Sequence, residues 1–134
     1  MQNRSLADDY ISRAGHRLAA LEVLMQKQSW ADVVRESQEI VELCLKSVLR
    51  KSGIEVPRIH DVSDVLKEES SKLPKELQPK VNQLAAISKK LRRDRELAFY
   101  GTEDLTPSEF YEEADAKEAF DGVKQVYTLC KAVF

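Results

Sequence analysis

Histidine is nearly missing from this chain, and the other residues that usually announce chemistry are scarce. Its 134 residues include two histidines, two cysteines, one tryptophan, four glycines and four prolines. His16 and His60 are far apart and neither is paired with a cysteine, so the spacing of a zinc site is absent. No Gly-rich phosphate loop, Gly-x-Ser-x-Gly elbow or Walker-type sequence occurs, which removes the common phosphate cradles and the serine triads. Cys44 and Cys130 lack Cys-x-x-Cys spacing and are expected as buried, reduced thiols. No apolar run reaches the length of a membrane span, and the N-terminus lacks the apolar stretch of a signal peptide. Net charge is −2, so no global basic field draws nucleic acid or an anionic membrane. The expected protein is cytoplasmic and needs neither metal nor cofactor. Any anion contact must come from a local patch.

What remains is helical material. Apolar residues make up 43% and charged residues 33%, the mixture of an ordinary helical domain. A chain of this length buries roughly 68% of its unfolded surface, enough for one core, so residues 1–134 are read as a single domain. Tyr10, Ile11, Ala14, Leu18, Leu21, Leu24 and Met25 recur every three or four residues and predict a helix from Ser5 to about Gln28. Ser29, with Asp32 three residues on, predicts the cap of a second helix running to Arg50-Lys51-Ser52-Gly53. So short a connection makes the two helices antiparallel neighbours. An extended connector over 54–59 leads through His60-Asp61 to a short helix from about Val62 to Ser70. Pro79 suits the first position of the next helix, whose face carries Val81, Leu84, Ala85, Ser88, Leu91, Arg95 and Ala98. Gly101 stops it. Thr106-Pro107-Ser108-Glu109 is a helix start, and Asp115 with Glu118 either restarts or continues that helix toward Phe134. The expected fold is all-α, an antiparallel up-and-down bundle of four main helices plus a short extra one.

One stretch breaks the pattern. Lys89, Lys90, Arg92, Arg93 and Arg95 put five cations within seven residues, just where an apolar stripe acquires an arginine. Guanidinium groups match phosphate oxygens in bidentate fashion, which suits a nucleotide or RNA. The plainer reading, cations complementing the negative helix end, leads on spacing alone.

The order of segments resembles a HEPN domain over about Ser5 to Val133. The carriers are the first helix from Ala7-Tyr10, the second helix through 37–49, and the connector Pro57-Arg58-Ile59-His60-Asp61-Val62. After them come the arginine-bearing helix ending at Tyr100-Gly101 and the closing Tyr111…Asp115-Ala116…Ala119 segment. The resemblance implies a homodimer and a nucleotidyltransferase, nucleotide or RNA as partner, in a toxin–antitoxin or defence setting. Family ribonucleases are metal-independent and pair an arginine with a histidine that follows after four to six intervening residues. Arg93-Asp94 matches the start of that motif, but Ala98 or Tyr100 stands where the histidine belongs. Alanine carries no proton, and tyrosine with a pKa near 10 is a poor base at neutral pH. Toxin-like members paired with a nucleotidyltransferase also carry a tyrosine seven residues after the arginine, which Tyr100 matches.

The implied site is therefore a non-catalytic groove of Arg93, Asp94, Arg95 and Tyr100, with Arg92 and His60 as secondary candidates and no catalytic residue or metal ligand. Two alternatives stand beside it: an atypical ribonuclease in which Arg93 acts with Tyr100, and an interaction domain without nucleotide chemistry.

Overall fold

The computed structural model describes residues 2–56, 61–101 and 105–134, and the side chains of residues 2–5 and 95–99 lie outside that description. Among the described residues six α-helices form in chain order: α1 Gln2–Gln26, α2 Trp30–Lys51, α3 Val62–Glu68, α4 Val81–Tyr100, α5 Pro107–Phe110 and α6 Glu113–Lys131. No strand occurs among the described residues. The all-α bundle expected from periodicity is the observed one, with α3 and α5 as two short helices beside four long ones.

Helix α2 is the axis. Twelve of its 22 residues are buried, and α1, α3, α4, α5 and α6 all pack against it. Its stripe of Val33, Ile40, Val41, Cys44, Leu45, Val48 and Leu49 is almost wholly removed from solvent. Each large aliphatic side chain buried this way contributes roughly 1.5–3 kcal/mol before entropy is charged against it. Both cysteines are free and buried, as expected, and burial pushes the Cys44 thiol up to about 12.

The ends of α2 fix the directions of its neighbours. At the start, Gln28 adopts φ 59, and the Ser29 N–H reaches back to the Leu24 carbonyl at 3.0 Å. That reversal closes α1 and sends α2 back alongside it. Ser29 is the residue before α2, but its hydroxyl donates to Asp32 Oδ2 at 2.6 Å and accepts no backbone N–H. The cap foreseen there is thus a side-chain pair. At the other end Gly53 takes φ +77, and the Ile54 N–H returns to the Leu49 carbonyl at 2.8 Å. Arg50 and Lys51 do more than offset the helix dipole, since Arg50 lies over the Tyr10 ring and Lys51 over the Phe134 ring.

Lys51, Leu77 and Phe134 line one cleft, so α4 begins where α2 and α6 finish. At the opposite end the Tyr111 hydroxyl donates to the Asp94 carbonyl oxygen at 3.1 Å. Helix α4 therefore runs antiparallel to both α2 and α6. Helix α1 spans Gln2–Gln26 rather than Ser5 to about Gln28, two more boundaries differ from expectation, and one left open between two alternatives is decided. Helix α3 ends at Glu68 and tightens into a 3₁₀ turn at Ser70–Lys72. Pro79 lies in the 3₁₀ turn Gln78–Lys80 that feeds α4, one turn before the helix proper. The closing helix breaks at Tyr111 and Glu112, both extended, and α6 restarts with the Glu112 N–H donating to Asp115 Oδ2 at 2.8 Å.

Candidate functional site: the second half of α4

Helix α4 begins as a core helix. Val81, Leu84, Ala85, Ser88 and Leu91 are buried at three- and four-residue spacing and face α2. The expected continuation through Arg95 and Ala98 lies outside the described side chains. From Lys89 onward the described residues are mostly charged and exposed.

Three of the five clustered cations are held by carboxylates from three different helices or their caps. Lys89 Nζ lies 3.3 Å from Asp64 Oδ1 on α3. Lys90 pairs with Glu118 on α6. Arg92 lies 3.6 Å from Glu42 on α2 and 4.0 Å from Asp61, the residue capping α3. Much of the apparent basic patch is thus internal bracing of α4 against its neighbours, although exposed pairs of this kind contribute little each. Arg93 is different. It is exposed, and it makes no ion pair among the described residues.

Asp61 is well served. Its Oδ1 accepts from the Ser63 N–H at 2.9 Å and the Ser63 hydroxyl at 2.7 Å. Burial opposes its charge, but the Ser63 bonds, Arg92 and Lys89 outweigh that and hold the carboxyl below its usual range. Asp94 has the opposite balance. Half-buried, it is desolvated, and that burial, with weaker repulsion from Asp115 and Glu118, outweighs the attraction of Lys90 and Arg93, so its carboxyl is raised.

Asp94 faces a groove of about 390 Å³ between α4 and α6, floored by Val34 of α2. Ile87 and Leu91 form its α4 wall, and the small residues Ala119 and Gly122 leave space on the α6 side. Tyr111 closes one end. Burial, then Asp94 and Asp115, push its hydroxyl up to about 12, so it remains the donor to the Asp94 carbonyl. At the far end Gln83 Nε2 donates to Gln125 Oε1 at 2.8 Å across the groove. No group of three His, Cys, Asp or Glu gathers at metal-binding distance among the described residues.

The end of α4 and the start of α5 carry exposed apolar and aromatic residues. Tyr100 is 74% exposed, and Leu105 and Phe110 are 39% and 41% exposed. Gly101 makes the turn between them at φ +79, where a Cβ would come within 2.6 Å of the Leu105 carbonyl oxygen and 2.8 Å of Pro107 Cδ. Only glycine fits that corner. The chain then enters α5 through a capping box, with the Glu109 N–H donating to Thr106 Oγ1 and the Thr106 N–H donating to Glu109 Oε1. Phe110 packs edge-on against Tyr111 with ring centroids 5.1 Å apart.

This succession of helices, with a charged fourth helix stopped by glycine, agrees with the family model for the HEPN domain, which matches residues 7–133. The chain belongs to the HEPN-domain family. No curated protein and no solved structure matches it.

Within this HEPN domain the foreseen residues that are described face different ways. Arg93 points to solvent, whereas Asp94 lines the groove toward α6. Neighbouring helical residues diverge by roughly 100°, which separates the two faces. Tyr100 ends α4 in an exposed position. Arg92 is engaged by Glu42 and Asp61. The side chain of Arg95 and all of His60 lie outside the described residues. Sequence reasoning missed Glu42, Asp64 and Glu118, because each meets α4 from a distant part of the chain. Asp61 carried a local signal, the Asp-x-Ser spacing of an N-cap.

Proposed function

We propose that this HEPN domain is a non-catalytic binding module of the cytoplasm, a single domain that pairs as a homodimer. Its ligand is a nucleotide, RNA or a nucleotidyltransferase partner, met by a groove that includes Arg93, Arg95 and Tyr100, with Asp94 beside it. The observation that carries this reading is the division of labour along α4. Lys89, Lys90 and Arg92 are each committed to a carboxylate of the same chain, while Arg93 is exposed without one among the described residues. Tyr100 follows seven residues later, two helical turns and about 10 Å along the same side. A guanidinium and an exposed ring at that spacing can hold a phosphate and stack a base. Cutting is another matter. Ala98 or Tyr100 stands where the family's proton carrier belongs, and neither residue type is the histidine that such cutting uses.

The test is binding of ATP and a short single-stranded RNA by the purified protein and by Arg93→Ala, at low and moderate salt. The variant should lose most of the affinity, and the parent should weaken as salt rises, because phosphate contacts release counterions. RNA fragments that depend on Arg93 would overturn the non-catalytic reading. A monomer in sedimentation at micromolar concentration would overturn the dimer.

A further inference from the structure

We infer that the α4–α6 groove is a docking site for a basic, amphipathic segment of a partner protein, whose arginine or lysine pairs with Asp94. The site is separate from the Arg93–Tyr100 face and has the opposite electrostatic character.

Three observations carry this. The first is shape. The groove holds about 390 Å³, and its α4 wall runs from Gln83 to Asp94. That is about 16 Å of helix, long enough for several residues of a segment laid along it. The second is surface. Val34, Ile87, Leu91 and Ala119 give an apolar floor and walls, which suits the apolar face of a helix laid into a groove.

The third is charge. Asp94, Asp115, Glu118 and Asp121 line it against one lysine, Lys90, and that lysine is already paired with Glu118. Asp121 has Lys124 at 3.5 Å, and Asp115 accepts the Glu112 N–H that starts α6. Asp94 has no such partner among the described residues, although it is half removed from solvent. Its desolvation raises its carboxyl further than Lys90 and Arg93 lower it, and repulsion from Asp115 and Glu118 adds to the rise. A cation placed beside it relieves both penalties at once. A phosphate ligand would add repulsion here. An arginine or lysine offers the right parts, an apolar stem for the walls and a charged head for the rim.

The experiment follows amide NMR shifts of the isotope-labelled full chain on titration with a 14-residue Leu/Ala helix bearing arginines on its polar face. Its controls are the same peptide with glutamate in place of arginine, and benzamidine as a small organic cation. The arginine peptide should shift groove residues of α4 and α6, and the glutamate peptide should not. Asp94→Asn, nearly isosteric, should weaken binding at least tenfold. Ala86→Phe fills the groove from an exposed position of its wall and should do the same. Equal binding of both peptides, shifts outside the groove, or indifference to Asp94→Asn and Ala86→Phe would each overturn the proposal. Benzamidine binding there as tightly as the peptide would overturn it too, by assigning the groove to a small cation.

Discussion

Helices α2 and α4 have similar lengths and begin with the same kind of apolar stripe, yet they end differently. In α2 the buried stripe runs to Leu49 with Arg35 and its ion pairs to Glu36 and Glu39 off to one side, and Arg50 and Lys51 of the last turn are stacked on Tyr10 and Phe134. In α4 buried residues run from Val81 to Leu91, and charge takes over two turns before the helix stops. A helix can be held by packing throughout, or by packing at one end and ion pairs at the other. The second kind leaves side chains over for a ligand. Among the described residues, Arg93 and Tyr100 lie exposed in that second half of α4, and Asp94 faces the groove toward α6.

The sharpest test of this contrast is truncation. Leu45→Ala in α2 removes a fully buried side chain and should cost about 2–5 kcal/mol in urea unfolding. Arg93→Ala should cost less than about 0.5 kcal/mol by the same measurement, because the side chain is exposed and makes no ion pair among the described residues. Equal losses would erase the distinction between the two helices.

The two helix-ending glycines come next. Both have φ near +78, but a Cβ meets nothing within 4 Å at Gly53 and collides with backbone at Gly101. Gly53→Ala should cost about 1–2 kcal/mol, the price of the left-handed conformation alone. Gly101→Ala should cost more, and should disturb the Tyr100 and Phe110 resonances. A smaller loss at Gly101 would mean that the α4–α5 corner readily opens.

Asp61 and Asp94 make a pair of opposite sign. The folded state holds the Asp61 carboxyl below its ordinary value of 3.8. Its contribution is therefore present at neutral pH and disappears as pH falls through the folded value. Asp61→Ala should cost about 1 kcal/mol at pH 7, from the lost cap, and progressively less in acid. The Asp94 carboxyl is raised, so its ionisation is a cost that is present at neutral pH and relieved on acidification. Asp94→Asn should leave stability unchanged or slightly higher at pH 7, with the difference vanishing in acid. Thermal melts from pH 3 to 7 read both.

The smallest effect concerns the α1–α2 reversal. Gln28 holds φ 59 with a side chain that disfavours it, so Gln28→Gly should stabilise the fold by about 0.5–1 kcal/mol. No gain would mean that the Gln28 side chain contributes more than its backbone strain removes.

Much of this molecule was legible residue by residue. The stripes of α1, α2 and the first half of α4 announced themselves by period, and they fold as read. Gly53, Gly101 and the Thr106–Glu109 box are local signals acting through local backbone geometry, so they too were readable. The break at Tyr111-Glu112 was ambiguous, because Asp115 can serve either a new start or the interior of a helix. The Tyr111 contact with the Asp94 carbonyl now fixes that corner.

The candidate site was only half legible. Five cations in seven residues looked like one patch, but pairing is decided by which helices stand beside α4. Asp64, Glu118 and Glu42 lie 25, 28 and 50 residues away from their partners Lys89, Lys90 and Arg92. No spacing rule reaches that far.

The sequence by itself determined the helical class, most helix ends and the HEPN resemblance, since each rests on periodicity, caps and segment order within neighbouring residues. Tertiary structure alone decided which cations of α4 are spent on the fold, which way Asp94 faces and that an acidic groove opens beside a basic helix. Those outcomes depend on Coulomb pairing and space between helices, and both exist only once the helices are packed.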